Sequence, residues 1–245
     1  LPDSSFKTLL DLQAGSLRMA WTYDDLRRFP LCAFATPATT WEVRLTPKID
    51  GHPFARSTWT RVEGHLPALE NDYLDARGRF RLEAVGGERA AILRVTVANT
   101  GDRAHCYSLP IERPGGWSGY CPAWVDPEAD ADVLLTGWQD RADRVLLLAL
   151  GDGEKRPYAN AVDLEWSLAP GESAAAWIIR PYEAYAADLP MLRAADWAGE
   201  MEAGKATWRA LLSRASRVEI PDPGVRNAFL ACLADLFVMR EPVAG

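Results

Sequence analysis

The sequence predicts a mainly β protein, a large antiparallel β-sandwich (a supersandwich) over residues 1–185 followed by C-terminal linker helices over residues 186–245. Three observations predict it. Apolar and polar residues alternate with a period of two from Leu17 to Tyr182, turn-forming residues interrupt the alternation at short intervals, and beyond Tyr182 the apolar spacing becomes helical.

The strands follow in order. Trp41, Val43 and Leu45 interleave with Glu42, Arg44 and Thr46; Phe80 and Leu82 with Arg79, Arg81 and Glu83; Leu93, Val95 and Val97 with Arg94 and Thr96. Val162, Leu164, Trp166 and Leu168 interleave with Asp163, Glu165 and Ser167. Such alternation puts the apolar set on one sheet face and the charged set in water. The run from Arg144 to Leu150 is apolar after its first residue, which predicts a central strand buried on both faces. Ile49-Asp50-Gly51, Gly86-Gly87, Asn99-Thr100-Gly101-Asp102 and Ala169-Pro170-Gly171-Glu172 supply the positive φ and the fixed proline φ of tight reversals. About ten to twelve short strands without intervening helices make a large sandwich.

From Leu189 to Ala215, Trp197, Met201, Trp208, Leu211 and Leu212 recur at helical intervals, predicting one linker helix. Ile220-Pro221-Asp222-Pro223 ends it and starts another, with Asp222 as N-cap and Pro223 at the first helical position. Val225, Phe229, Cys232, Leu233, Leu236 and Phe237 then form a wide apolar stripe ending near Arg240. Either this stripe docks on the sandwich or its partner helices lie outside the chain; the second is the expectation.

The succession of parts resembles the amino-terminal half of the six-hairpin glycosidases, the clan of glucoamylases, disaccharide phosphorylases and rhamnosidases. The resemblance rests on a sandwich closing with Leu164-Glu165-Trp166-Ser167-Leu168-Ala169-Pro170-Gly171-Glu172 and Trp177-Ile178-Ile179-Arg180-Pro181-Tyr182. A Trp-rich linker helix follows, then Arg217-Val218-Glu219-Ile220-Pro221-Asp222-Pro223 and an apolar helix containing Asn227. The strand and turn Leu93-Arg94-Val95-Thr96-Val97-Ala98-Asn99-Thr100-Gly101 is also similar to one in such sandwiches. The resemblance implies that residues 186–245 hold a linker helix and the first helix of a helical-barrel domain that the chain truncates. It also implies that the catalytic carboxylates belong to that barrel, mostly beyond Gly245, so no catalytic residue is carried over. Whether the parent enzyme hydrolyses or phosphorolyses its sugar stays open.

Composition narrows the function classes. The net charge of -7, with arginines interspersed among acids, argues against nucleic acid as a partner. No apolar run approaches the roughly 18 residues of a membrane span. Cys32, Cys106, Cys121 and Cys232 match no zinc or redox spacing and are expected as buried free thiols, with a Cys106–Cys121 disulfide as the alternative. No nucleophile elbow, phosphate loop or dinucleotide fingerprint is present, no cofactor or metal is expected, and Gly151-Asp152-Gly153-Glu154-Lys155 is expected as a hairpin turn.

The most distinctive stretch is Arg113 to Asp140, where Trp117, Tyr120, Trp124 and Trp138 offer flat rings that stack on a pyranose beside Asp126, Glu128, Asp130 and Asp132. On one reading it is a sugar-contacting loop; on the other, a long loop pinned by buried tryptophans. The acidic run Asp126–Asp132 lacks the pattern of a calcium loop and is expected as a solvated turn. His52, His65 and His105 invite comparison with the acid–base histidines of sugar mutarotases, but no mutarotase motif surrounds them; His52 and His65 are expected at exposed turns. The leading expectation is a non-catalytic N-terminal domain of a carbohydrate-active enzyme. A free-standing carbohydrate-binding module and a structural domain that self-associates through its last helix are the alternatives.

Overall fold

The structure of the protein, a computed structural model, describes residues 9–13, 16–22, 40–53, 59–112, 123–126, 129–136, 143–158, 161–215 and 218–239. For 9–13, 16–22, 40–42, 123–124 and 239 it describes the backbone alone.

Among the described residues, two antiparallel eight-stranded sheets and a helical layer are stacked in the order sheet one, sheet two, helices. Sheet one runs β1 (Leu9–Gln13), β2 (Ser16–Thr22), β3 (Thr40–Leu45), β10 (His105–Glu112), β15 (Ala161–Leu168), β14 (Glu154–Tyr158). Beside β3, the short β4 (Lys48–Ile49) also pairs with β10, and β5 (His52–Pro53) pairs with β4. Sheet two runs β11 (Ala123–Trp124), β12 (Val133–Thr136), β13 (Val145–Gly151), β16 (Ser173–Pro181), β9 (Ala90–Ala98), β8 (Gly78–Gly86), β7 (Leu69–Asp75), β6 (Trp59–Arg61). A 3-10 turn at Ala186–Asp188 leads into α1 (Leu189–Ala194), α2 (Trp197–Ala215) and α3 (Pro223–Met239).

The alternation predicted from sequence fills the space between the sheets. Val43, Leu45, Phe80, Leu82, Leu93, Val95, Val97, Val162, Leu164, Trp166 and Leu168 share one core, with Phe80 edge-on to Trp166 at 6.2 Å between ring centroids. Sheet two is buried on its second face as well. Val85, Ala90, Ile92, Val145, Leu148 and Ile179 face the helices. The two-faced burial expected for Arg144–Leu150 holds in β13, where register shifts against β12 turn both Leu146 and Leu147 inward. Arg180 is also buried, its guanidinium 5.4 Å from the Tyr182 ring centroid.

The two sheets are joined at one end by polar contacts. The Arg77 guanidinium, in the β7–β8 turn of sheet two, donates to the Ile49 carbonyl of sheet one at 3.1 Å. The Tyr107 hydroxyl of β10 returns the contact, donating to the Arg77 carbonyl at 2.8 Å with the Ala98 carbonyl at 3.2 Å. The buried Asn99 amide donates to the carbonyls of Leu168 and Arg103 at 2.9 and 2.8 Å. Gly78 sits under Tyr107 with φ +143°, where a Cβ would lie 2.2 Å from the hydroxyl.

Three expectations need correction. The span Leu189–Ala215 is two helices: the backbone turns extended at Ala195 (ψ 142°), and the Asp196 carboxylate caps α2 by accepting the Gly199 N–H at 2.9 Å. The break lets the Trp197 ring bury while its indole N–H donates to the Leu192 carbonyl at 3.0 Å. Second, Gly151-Asp152-Gly153 is no hairpin, since β13 and β14 belong to different sheets; it carries the chain across the sandwich, as do the turns at Asn99–Asp102 and Ala169–Glu172. Third, Cys232 is exposed and Cys106 half-buried, both free thiols rather than buried ones.

Two predictions follow from the sheet junction. Gly78→Ala should destabilise the chain by about 3 kcal/mol, through both positive φ and the clash with Tyr107. Gly171→Ala, at φ +82° but facing open space, should cost about 1 kcal/mol. Equal urea midpoints for the two variants would refute the packing account. Burial alone would raise the Asp75 carboxyl, but hydrogen bonds from Arg77 and the Tyr73 hydroxyl overcome it and hold it at about 2. This depressed value stabilises the fold fully above about pH 5, and the contribution is lost as pH falls through about 2. Asp75→Asn should therefore cost about 2 kcal/mol near neutrality, a deficit that shrinks between about pH 5 and pH 2 in urea titrations.

Candidate functional site

The helical layer carries the features that a fold alone does not require. Helix α2 lies on sheet two through Trp197, Met201, Gly204, Lys205, Trp208 and Leu212, all buried and spaced along one helix face. A Cβ on Gly204 would meet the Gly86 carbonyl at 2.8 Å, so the absence of a side chain sets how closely helix and sheet approach.

Charged pairs fasten the layer. The Lys205 ammonium donates to Glu83 of β8 at 2.6 Å and lies 2.5 Å from Glu202, with the Lys205 and Glu83 side chains 7% and 10% exposed. Burial alone would lower this ammonium; the hydrogen bonds to Glu202 and Glu83 outweigh it and raise it above its ordinary range. Arg89 donates to Glu200 at 2.7 Å and stacks over Trp197. Arg193 of α1 holds Asp130 and Asp132 at 2.7 and 2.6 Å.

Helix α3 is seated differently. The 3-10 turn Val62–Gly64 places Glu63 at φ 56° and Gly64 at φ 76°. This left-handed pair lets Glu63 accept from Arg209 of α2 at 2.7 Å and leaves the bare Gly64 backbone against Asn227 of α3. Farther along, Arg61 donates to both oxygens of Asp235 at 2.7 and 2.9 Å. Asp222 caps α3 as predicted, accepting the Val225 N–H at 2.9 Å. Of the α3 side chains described, Ala234 alone is fully buried, while Leu233, Phe237 and Val238 are partly covered.

The outward face of α3 is apolar. Val225 (57% exposed), Phe229 (37%) and Leu236 (61%) stand on it with the exposed Cys232, at intervals of four, three and four residues. Where this face borders α2 lies an open cleft of about 290 Å³ lined by Leu212, Val218, Phe229, His65, Arg209 and Arg226.

Of the residues expected to contact sugar, Trp117, Tyr120 and Trp138 lie outside the described residues. The backbone of Trp124 pairs with Leu135 in β11–β12, and its side chain lies outside them too. The acidic run is not a simply solvated turn. Asp130 accepts the N–H groups of Asp132 and Val133 at 2.8 and 3.0 Å, starting β12, and both aspartates are engaged by Arg193. Lys155 of sheet one comes within 3.7 Å of Asp132, so this junction touches all three layers. Among the described residues no group of three His, Cys, Asp or Glu is arranged to hold a metal ion.

His52 is exposed as expected, whereas His65 is half-buried with Nδ1 2.8 Å from the Glu63 carbonyl oxygen. His105 is buried at the start of β10, with Nδ1 2.8 Å from Asp50. Burial also pushes the Asp163 carboxyl up on the outer face of sheet one, with Glu165 and Glu112 adding repulsion against the pull of Lys48. Sequence periodicity gave no sign of the Glu83–Lys205 pair or the Gly64 seat. The partners are far apart in the chain, and neither has a local motif.

No protein-family model matches the chain, and no curated protein matches it.

Lys205→Ala should destabilise the chain by about 3 kcal/mol in urea titrations, because it removes the ammonium that donates to the buried Glu83 carboxylate. Adding Glu83→Leu should recover most of the loss; a double variant as unstable as the single one would count against this.

Proposed function

We propose that the chain is the non-catalytic β-sandwich part of a carbohydrate-active enzyme of the six-hairpin type, a glycoside hydrolase or phosphorylase, and that it braces a helical catalytic domain. The observation that carries this reading is α3. Arg226 and Asp235 are its charged residues, so the helix is apolar nearly all round, yet this chain covers one side of it. A helix of that kind belongs inside a larger protein body. At 17 residues it is not apolar and long enough to cross a membrane; no helix of the described residues is. A surrounding set of helices is the cover that suits it, and the order of sandwich, linker helices and apolar helix resembles the six-hairpin arrangement.

On the sequence alone, we assign sugar contact to Trp117, Tyr120, Trp124 and Trp138, as an aromatic loop bordering the barrel's site. The bracing role asks for a rigid platform, and α1 and α2 supply it through their buried rings and the Glu83–Lys205 pair.

Hydrogen exchange compares the chain alone with the complete gene product. The α3 amides should exchange at least about tenfold more slowly in the complete product, where the barrel encloses them. Equal exchange in both, or a gene product without a helical-hairpin region, would sink the proposal. If the isolated chain instead sediments as a dimer that Phe229→Asp dissolves, self-association through α3 replaces it. The sugar assignment is tested separately on a glycan array with the complete product, where Trp117→Ala and Trp124→Ala should lower binding; unchanged binding removes the aromatic loop from the proposal.

A further inference from the structure

Sheet one turns its outer face away from the helices, and near its middle that face holds polar groups that the fold leaves without partners. On β10, Tyr107, Leu109 and Ile111 face the core, so Ser108, Pro110 and Glu112 face outward. The register sets Ser108 between Lys48 of β4 and Glu165 of β15, and Pro110 beside Asp163. Burial deepens across this face. Arg156 and Tyr158 are exposed on the edge strand β14, Asp163 and Glu165 are half-buried on β15, and Ser108 is 7% exposed.

The Ser108 hydroxyl, so placed, has no hydrogen-bond partner among the described residues. Folded proteins pair nearly all such groups. One oxygen of Asp163 is likewise buried without a partner. Burial, with Glu165 and Glu112 nearby, pushes this carboxyl up against the pull of Lys48 and the Tyr158 hydroxyl. Glu112 lies across from Arg44, and Lys48 lies near Asp163, yet among the described residues neither Glu112 nor Lys48 is in an ion pair. Glu165, by contrast, is held by Arg156 at 3.1 Å.

The chemistry of these groups selects the ligand. Three carboxylates repel an anion, Lys48 repels a cation, and among the described residues no group of three His, Cys, Asp or Glu is set to hold a metal. Adjacent hydroxyls satisfy both kinds of group at once, because each can donate to a carboxylate and accept from the ammonium. We propose that the outer face of sheet one around Ser108 binds one saccharide unit through adjacent ring hydroxyls. Lys48 and Ser108 donate to it, Glu112 and Asp163 accept from it, and the exposed Tyr158 ring borders it. That the hydroxyls belong to a sugar rests on the carbohydrate reading above. The need for a ligand of this chemistry rests on the unpaired groups, none of which lies in the aromatic loop or on α3.

Amide NMR of the full chain, titrated with D-glucose, D-galactose, D-mannose and L-rhamnose, tests it, with myo-inositol as a ring polyol that is not a sugar. At least one sugar should shift the amides of Ser108, Glu112 and Asp163 saturably, and bind more tightly than myo-inositol. Lys48→Met and Glu112→Gln should each weaken that binding about tenfold. Trp124→Ala should leave it unchanged, so that this site and the aromatic loop fail separately. Ser108→Ala should weaken binding about fivefold and yet raise the urea midpoint, since a methyl group replaces a hydroxyl that the fold buries unpaired. No saturable shift with any of the sugars would overturn the site, and equal binding of myo-inositol would overturn the saccharide assignment. A lowered midpoint in Ser108→Ala would mean that the fold itself uses the hydroxyl, and would overturn the site as well.

Discussion

Sheet two bears apolar side chains on both faces, and most of the architecture follows from having to cover them. Sheet one covers the inner face. The outer face at Val85, Ala90, Ile92, Val145, Leu148 and Ile179 is left for helices, so α1 and α2 complete the fold rather than decorate it. The cover reaches only one end of that face. At the other end Arg94 stacks over Trp177 and the arginines of β8 face water, which is where the alternation of sequence reappears.

The polar contacts sort into two kinds. Arg77, Tyr107 and Asn99 join sheet to sheet with hydrogen bonds to backbone carbonyls, at the end where the chain crosses between layers. Glu83–Lys205, Arg89–Glu200 and the Arg193 cluster join sheet to helix through charge. The first kind fixes the packing distance of two flat surfaces, and its donors are short-range and directional. The second anchors helix against sheet at places where apolar burial alone would not set the register. For a buried pair such as Glu83–Lys205 the desolvation cost offsets much of the attraction.

The fold class was legible because period-two patterning is a local signal: Leu93-Val95-Val97 face inward in any sandwich, whatever they meet there. The Asp222 cap was legible for the same reason. Sheet membership was not. The turns at Asn99 and Gly151 have the residues of hairpins, yet they cross between sheets, because turn chemistry fixes a reversal and not the identity of the next neighbour. Glu83 read as a solvated member of its strand; only α2, supplied 122 residues later, makes it a buried ligand for Lys205. The break at Ala195 is hard to read from sequence because its signal is a single residue, the cap at Asp196, inside an otherwise helix-favouring stretch. Of the candidate surface, the stripe on α3 could be read directly, but its seat on a left-handed Glu63–Gly64 turn could not, since glycine and glutamate there carry no periodic signal.

The central pairing of sheet two, β9 with β16, has a consequence for the making of the protein. Residues Ala90–Ala98 wait for Ser173–Pro181 before their outer edge closes. On a ribosome adding roughly 5–20 residues each second, that interval lasts several seconds, during which an apolar strand edge stands open. The sandwich therefore cannot mature piecewise from its amino terminus. Its two halves meet late, and until then the charges of Arg81 on β8 and Arg94 on β9 stand beside Leu82 and Leu93.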